Sequence, residues 1–219
     1  MRSETRVIEG FLKIKMTDVG TLILTQGDSE ALTIEADEAI LIEWVSEVQQ
    51  GTLILGFADD WFNLVGKLIS SILNGSNPKI IYRLTVVNLE KISLSGKCKV
   101  ECGALKAEDL IIQLSGWGKL AFEDLDCNSL DVNISGRGEC AAAGRADQQK
   151  VKISGSGEYS APDLASQTLR LVISGQGNAT VRVKESLDIT ISGLGQVNYY
   201  GHPKLRQVIS GIGKSKRLN

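Results

Sequence analysis

Seven Ser-Gly pairs follow one another at near-regular intervals along the second half of the chain: Ser95-Gly96, Ser115-Gly116, Ser135-Gly136, Ser154-Gly155, Ser174-Gly175, Ser192-Gly193 and Ser210-Gly211. Their spacings are 20, 20, 19, 20, 18 and 18 residues. A period this short cannot hold a helical pair or a propeller blade, whereas it suits one coil of a β-solenoid or a leucine-rich repeat. The leucine-rich repeat places Asn or Cys after its LxL strand. Here that place is taken by Ser-Gly, which favours the solenoid.

The residues between the pairs alternate as half-buried strands do. Ile92/Leu94, Ile112/Leu114, Val132/Ile134, Val151/Ile153 and Ile189/Ile191 all face one way, separated by mostly polar residues such as Gln113, Asn133 and Lys152. After each corner the alternation resumes, with Val100/Cys102, Leu120/Phe122, Cys140/Ala142, Tyr159/Ala161, Ala179/Val181 and Val197/Tyr199 as inward pairs. Each coil is therefore expected to hold two short strands meeting at a glycine corner. Leu105, Leu125 and Leu164 mark a third side, ahead of strands led by Leu110, Leu130, Leu169, Leu187 and Leu205. Seven such coils at ~4.8 Å make a rod ~34 Å long. The crossover preference makes it right-handed. At the Ser-Gly-x-Gly corner, glycine is expected to supply φ > 0, and the serine hydroxyl to bond nearby backbone as in an ST-turn.

Several chemistries are excluded or disfavoured. The "SGIGKS" run near the end lacks a P-loop, because Val208 stands where that motif needs glycine. Seven equivalent serines without a partner histidine form no activated nucleophile. The single histidine, His202, lies between Gly201 and Pro203 and reads as a turn residue. Cys98, Cys102, Cys127 and Cys140 match no zinc or redox spacing and read as free thiols. Cys98 replaces the second corner glycine of the first coil, and Cys102 and Cys140 point inward, two coils and roughly 10 Å apart. A net charge of −2 with interspersed signs disfavours nucleic acid. No run of 18 apolar residues is available to span a membrane. The opening residues lack the apolar core of a signal peptide, and composition is compatible with a cytosolic protein or a mature segment of an exported one.

Upstream of residue 91, "FLKIKM", "TLILTQGDSEALTIEADE", "TLILGF" and "KIIYRLTVVNLEKI" read as strands, with turns at Gln26-Gly27-Asp28 and Gln49-Gln50-Gly51. The whole chain is thus read as one all-β domain: irregular coils over 1–90, then seven cornered coils over 91–219. This order, with the strand block from Gln26 to Asp37 followed by serial SGxG corners, resembles the bacterial family described as putative auto-transporter adhesin, head GIN domain. The resemblance covers nearly the whole chain. It implies a right-handed parallel β-helix akin to pectate-lyase folds, usually secreted or surface-anchored, presumed adhesive and without recognised catalytic residues.

One segment departs from strand periodicity. In "ADDWFNLVGKLISSILNGSNP", residues 58–78, the apolar positions fall at i, i+3, i+4 and i+7, predicting an amphipathic helix near 60–73. Such a helix suits a cap over one end of the coil stack, with a subunit contact or interfacial membrane binding as alternatives. The variable corner residues Lys97, Trp117, Arg137, Ser156, Gln176, Leu194 and Ile212 should form a stripe along one edge. Within it Lys97, Trp117 and Arg137 make a candidate patch for a glycan or a surface protein. Leu194 and Ile212 point to self-association. Glu123, Asp124 and Asp126 are the best acidic group for an enzyme of the lyase or glycoside hydrolase kind, but adjacent carboxylates on a bend usually diverge into water. The reading is a non-catalytic surface or scaffold module without cofactor or metal, with a carbohydrate-active β-helix enzyme as the alternative.

Overall fold

The computed structural model describes residues 2–17, 19–36, 44–57 and 79–219, and it is a β-solenoid of about six turns. Among these residues there is no helix. The segment near 60–73, where the helix is expected, lies outside them.

The expected pair of short strands per coil is corrected to one long strand. β9 (Lys97–Leu114), β10 (Lys119–Ile134), β11 (Glu139–Ile153), β12 (Ser156–Ile173) and β13 (Gln176–Ile191) each run from one corner to the next. They pair in parallel through nearly their whole length. Each coil bends without losing its pairing. Register shifts between Phe122 and Leu125, Ala141 and Ala143, and Ala161 and Ala165 absorb the bend as bulges. The stack ends on β14 (Leu194–Tyr200), β15 (Lys204–Ile209) and β16 (Ile212–Arg217), with β15 on β13 and β16 on β14.

Upstream, the sheet divides into two paths from β9. One continues through β3 (Val19–Gln26) and β7 (Ile81–Val86), then turns antiparallel through β4 (Ala31–Ala36) to β1 (Arg2–Arg6). The other runs through β8 (Lys91–Leu94) and β2 (Lys13–Met16) to the hairpin of β6 (Thr52–Phe57) and β5 (Trp44–Gln49). The turn expected at Gln49-Gln50-Gly51 closes that hairpin. Gln50 and Gly51 both have positive φ, as a two-residue primed turn requires.

Parallel register aligns like with like. One inward column reads Leu55, Met16, Leu94, Leu114, Ile134, Ile153, Ile173, Ile191 and Ile209. All but the last are buried. Ile209 is 37% exposed against 0% for Ile191, and Leu205 is 37% exposed against 0% for Leu187. The last coil has the inward pattern but nothing stacked beyond it among the described residues.

The corner glycines are needed for a different reason from the one expected. None of them has positive φ; among the described residues the glycines that do are Gly10, Gly20, Gly51, Gly144 and Gly201. What excludes a side chain is the coil below. A Cβ on Gly136 would lie well inside 3.0 Å of the carbonyl oxygens of Ser115 and Gly116, and the same clash recurs at Gly116, Gly155, Gly175, Gly193 and Gly211. The second corner glycine meets side chains instead: a Cβ on Gly157 would be 2.5 Å from Ile134 Cγ2, and one on Gly177 2.6 Å from Ile153 Cγ2. The close approach lets the corner amides bond to the coil below. Ser135 N–H donates to Leu114 O at 2.9 Å, and Arg137 N–H to Gly116 O at 3.1 Å. The ladder thus passes through the corner unbroken.

Two of the serine hydroxyls likewise bond across coils rather than within an ST-turn. Ser95 Oγ donates to Met16 O at 3.4 Å and Ser115 Oγ to Leu94 O at 3.3 Å.

Among the described residues two polar side chains are buried, Ser166, whose hydroxyl donates to Arg182 O at 2.9 Å, and Gln149. Gln149 takes the position of Leu130 below it and Leu169 above it, and it is 4% exposed. Tyr159 reaches it across the interior, its hydroxyl donating to Gln149 Oε1 at 2.6 Å, while Gln149 Nε2 finds no partner. Burial raises the Tyr159 hydroxyl well above its ordinary pKa. All four cysteines are buried, and none is in a disulfide. Desolvation pushes Cys102, Cys127 and Cys140 up to about 12, with nearby Glu123 adding to the shift at Cys102 and Asp126 at Cys127.

Three expectations follow from this packing. Gly136→Ala should destabilise the fold by about 2–3 kcal/mol through overpacking. Gly103→Ala, where a Cβ meets nothing within 4 Å, should be neutral or slightly stabilising, both variants being compared with the unaltered protein by urea titration. Replacing Tyr159 by Phe or Gln149 by Leu alone should each cost about 1–3 kcal/mol, because either change strands the other polar group. The double variant should recover most of that loss, and additive losses would disprove the coupling. Finally, an unfolded thiol ionises near ~8.5, so between there and about 12 the unfolded chain binds fewer protons than the folded one. Stability should therefore be insensitive to thiol ionisation below pH ~8 and fall above it by up to about 1.4 kcal/mol per pH unit per thiol. A Cys102/Cys127/Cys140→Ala variant should show a shallower alkaline slope.

Candidate functional site

In each coil the corner motif exposes its serine and its third residue, and of these two only the third position varies in residue type. Register confirms a single column: Ser156, Gln176, Leu194 and Ile212 are direct partners in successive strands. At the other end Trp117 N–H donates to Gly96 O at 3.0 Å and Ser156 N–H to Gly136 O at 3.0 Å, continuing the same ladder through Arg137.

Trp117 is 61% exposed, held outward by the close-packed glycines on either side. The Arg137 guanidinium lies over its ring, 5.4 Å from the centroid. At this distance the cation interacts with the ring face. The pair is more specific than the side-by-side placement that spacing suggests: the guanidinium of Arg137 engages a face of the indole, and the side chain is still largely exposed. Lys97 is exposed in the preceding coil of the same column. Beside the column, Lys119 pairs with Glu139 at 2.6 Å and Lys99 with Glu101, so these neighbouring cations are partly neutralised.

Towards the end of the rod the column becomes apolar. Leu194 is 46% and Ile212 82% exposed, and Val208 adds a third exposed aliphatic on the last coil. A shallow depression of about 560 Å³ lies there, lined by Gln176, Asn178, Leu194, Gln196, Ile212 and Lys214 among others.

Glu123, Asp124 and Asp126 all lie outside the core, on the bend where Phe122 and Leu125 turn inward. Asp126 approaches Lys106 Nζ at 4.0 Å. Among the described residues, no group of three or more His, Cys, Asp or Glu side chains could hold a metal ion. His202 is exposed beside Gly201, whose φ is +99°.

Two features escape a reading by repeats. The Trp117–Arg137 stack depends on side-chain direction between coils, which spacing does not specify. The charge of the final coil is visible in composition alone: no Asp or Glu occurs after Asp188, while Lys204, Arg206, Lys214, Lys216 and Arg217 all do.

Solved structures share this architecture. A putative adhesin of Bacteroides fragilis is 23% identical with TM-score 0.85, the match covering 99% of this chain and 96% of that one. A putative adhesin of Parabacteroides merdae is 20% identical with TM-score 0.74, over 100% and 96% of the two chains. A putative lipid binding protein of Parabacteroides distasonis is also 20% identical, with TM-score 0.75 over 100% and 96%. At these identities the likeness is one of fold. No curated protein matches the chain. The model of the family described as putative auto-transporter adhesin, head GIN domain, matches residues 10–203, and with its serial corners and stacked coils the chain belongs to that family.

Proposed function

We propose that this adhesin-family domain acts outside the cytoplasm as a non-catalytic binding module, and that it takes a saccharide on the Lys97–Trp117–Arg137 patch. The observation that carries the reading is Trp117, 61% exposed on a rigid corner with a guanidinium over one face of its ring. A large aromatic on a fixed backbone costs little entropy to use, and an exposed indole suits the apolar face of a sugar ring. Lys97 and the edge of the Arg137 guanidinium are placed to donate to hydroxyl or carboxylate oxygens, so an acidic glycan fits better than a neutral one.

Support for a non-catalytic role comes from the chemistry of the corners. Ser95 and Ser115 donate their hydroxyls to carbonyls of the preceding coil, a structural use of the residue type that catalysis would need as a nucleophile. The acidic group at Glu123, Asp124 and Asp126 lies on an open bend rather than in a cleft.

Affinity electrophoresis in gels containing neutral or uronate-bearing polysaccharides tests the proposal. The protein should be retarded more by the acidic polymer. Trp117→Ala should weaken retardation about tenfold, the equivalent of ~1.4 kcal/mol for a stacked contact. Arg137→Gln should weaken the acidic polymer's effect selectively. Retardation that Trp117→Ala leaves unchanged, or none with any polysaccharide, would reject this site.

A further inference from the structure

The variable corner residues share their face with two further columns. In β12, Ser156, Glu158 and Ser160 are alternate residues and point the same way, and all three have register partners in β13. The Glu158 column runs from Lys99 in β9 through Glu139 and Asn178 to Lys214 in β16. At ~4.8 Å per coil that is ~29 Å of the rod. Two depressions lie on this face. One, of about 250 Å³, is lined by Lys119, Ala121, Glu139, Ala141, Glu158 and Ser160 among others. The other, of about 560 Å³, begins at Ser156 in the same coil as Glu158 and continues to Lys214. The two therefore follow one another along a single line parallel to the axis.

Their chemistry changes along that line. In the first, Lys119 and Glu139 follow Trp117 and Arg137 by two residues in their coils, and they are paired at 2.6 Å. The second is lined by uncharged amides and an aliphatic: Gln176, Asn178, Gln196 and Leu194. Asn178 Oδ1 accepts from Gln196 N–H at 3.2 Å, and Gln196 Nε2 donates to Asn198 Oδ1 at 3.0 Å. Among the described residues, the Gln176 side-chain amide and the Asn178 Nδ2 group have no hydrogen-bond partner. An exposed amide offers donor and acceptor on one planar group, which suits the neighbouring hydroxyls of a sugar. β9 to β13 are hydrogen-bonded on both edges, so nothing can dock on this face by strand addition. Recognition here rests on side chains, and an extended peptide loses its usual means of attachment.

We infer that the ligand is a linear polysaccharide lying along the rod, with the sugar on Trp117 as one unit and the following units over Glu158, Gln176, Asn178 and Leu194. This rests on the saccharide reading of Trp117 and extends it. The coil rise is close to the length of one ring in an extended glycan, so successive rings meet successive coils, and each coil contributes its own outward residues. Leu194, 46% exposed, supplies an apolar contact to a ring face as Trp117 does nearer the other end. Glu158 is exposed and has no ion pair among the described residues. Its carboxylate accepts from sugar hydroxyls and repels another carboxylate, so charge spaced along the polymer fits better than charge on every ring.

Isothermal titration calorimetry with hyaluronan oligosaccharides of two, four, six and eight sugars, which carry a carboxylate on every second ring, tests the inference. Affinity should rise with length and level off at about six sugars, the number that ~29 Å accommodates. Gln176→Ala/Asn178→Ala should weaken the six-sugar ligand about tenfold and leave the two-sugar ligand unchanged. Trp117→Ala should weaken every length. Circular dichroism melting checks the fold of each variant, and Asn178→Ala alone serves if the double variant is unstable. Affinity that stops rising at two sugars, or a six-sugar ligand indifferent to the double variant, would overturn the linear site and leave the Trp117 contact standing. Binding of no length, or binding that Trp117→Ala leaves unchanged, would remove the saccharide reading and this inference with it.

Discussion

Everything in this molecule depends on how closely one corner can sit on the next. Parallel coils stack at ~4.8 Å, and at the Ser-Gly corners the backbone carbonyl of one coil occupies the space where a side chain of the next would begin. Glycine is required because it has no Cβ. With that volume free, the amides of the serine and of the variable residue both reach carbonyls of the coil below, near 3 Å. The buried columns follow from this, since residues in unbroken parallel register meet their own counterparts. Leu114, Ile134, Ile153 and Ile173 stack because their corners do.

The same regularity confines individuality to a few places. Serine and glycine recur at every corner, and inward positions must be apolar, so surface identity resides in the third corner residue and in the outward strand residues. Trp117 with Arg137 is one departure, and the apolar, basic last coil is another. Gln149 is a third, inside the core. It is tolerated because Tyr159, one coil on, reaches back to satisfy its carbonyl.

Much of this was legible in the chain. Alternation placed Val100, Leu120, Cys140, Tyr159, Ala179 and Val197 inward, and all are buried. Leu105, Leu125 and Leu164 marked the third side correctly. Leu205 was placed inward by the same rule, yet it is partly exposed, because burial of an inward residue also needs a coil above it. The two strands expected to meet at the glycine corner do end there, but what alternation hid is that each runs on through the bend into the next side, because two successive outward residues such as Glu123 and Asp124 interrupt the pattern. In the structure this interruption is a bulge, and the strand continues through it. The amphipathic segment near 60–73 lies outside the described residues and adds nothing to the comparison.

By itself the sequence determined the period, the inward face and the position of every corner, because those depend on which residues recur and at what interval. Only the tertiary structure decided why the corner must be glycine, which polar residue answers Gln149, and which face of Trp117 is already engaged. Each of these is a contact between coils, about twenty residues apart along the chain and one rung apart in space. A single strand of letters carries periodicity along itself, but steric exclusion and side-chain pairing between rungs exist only once the rungs are stacked.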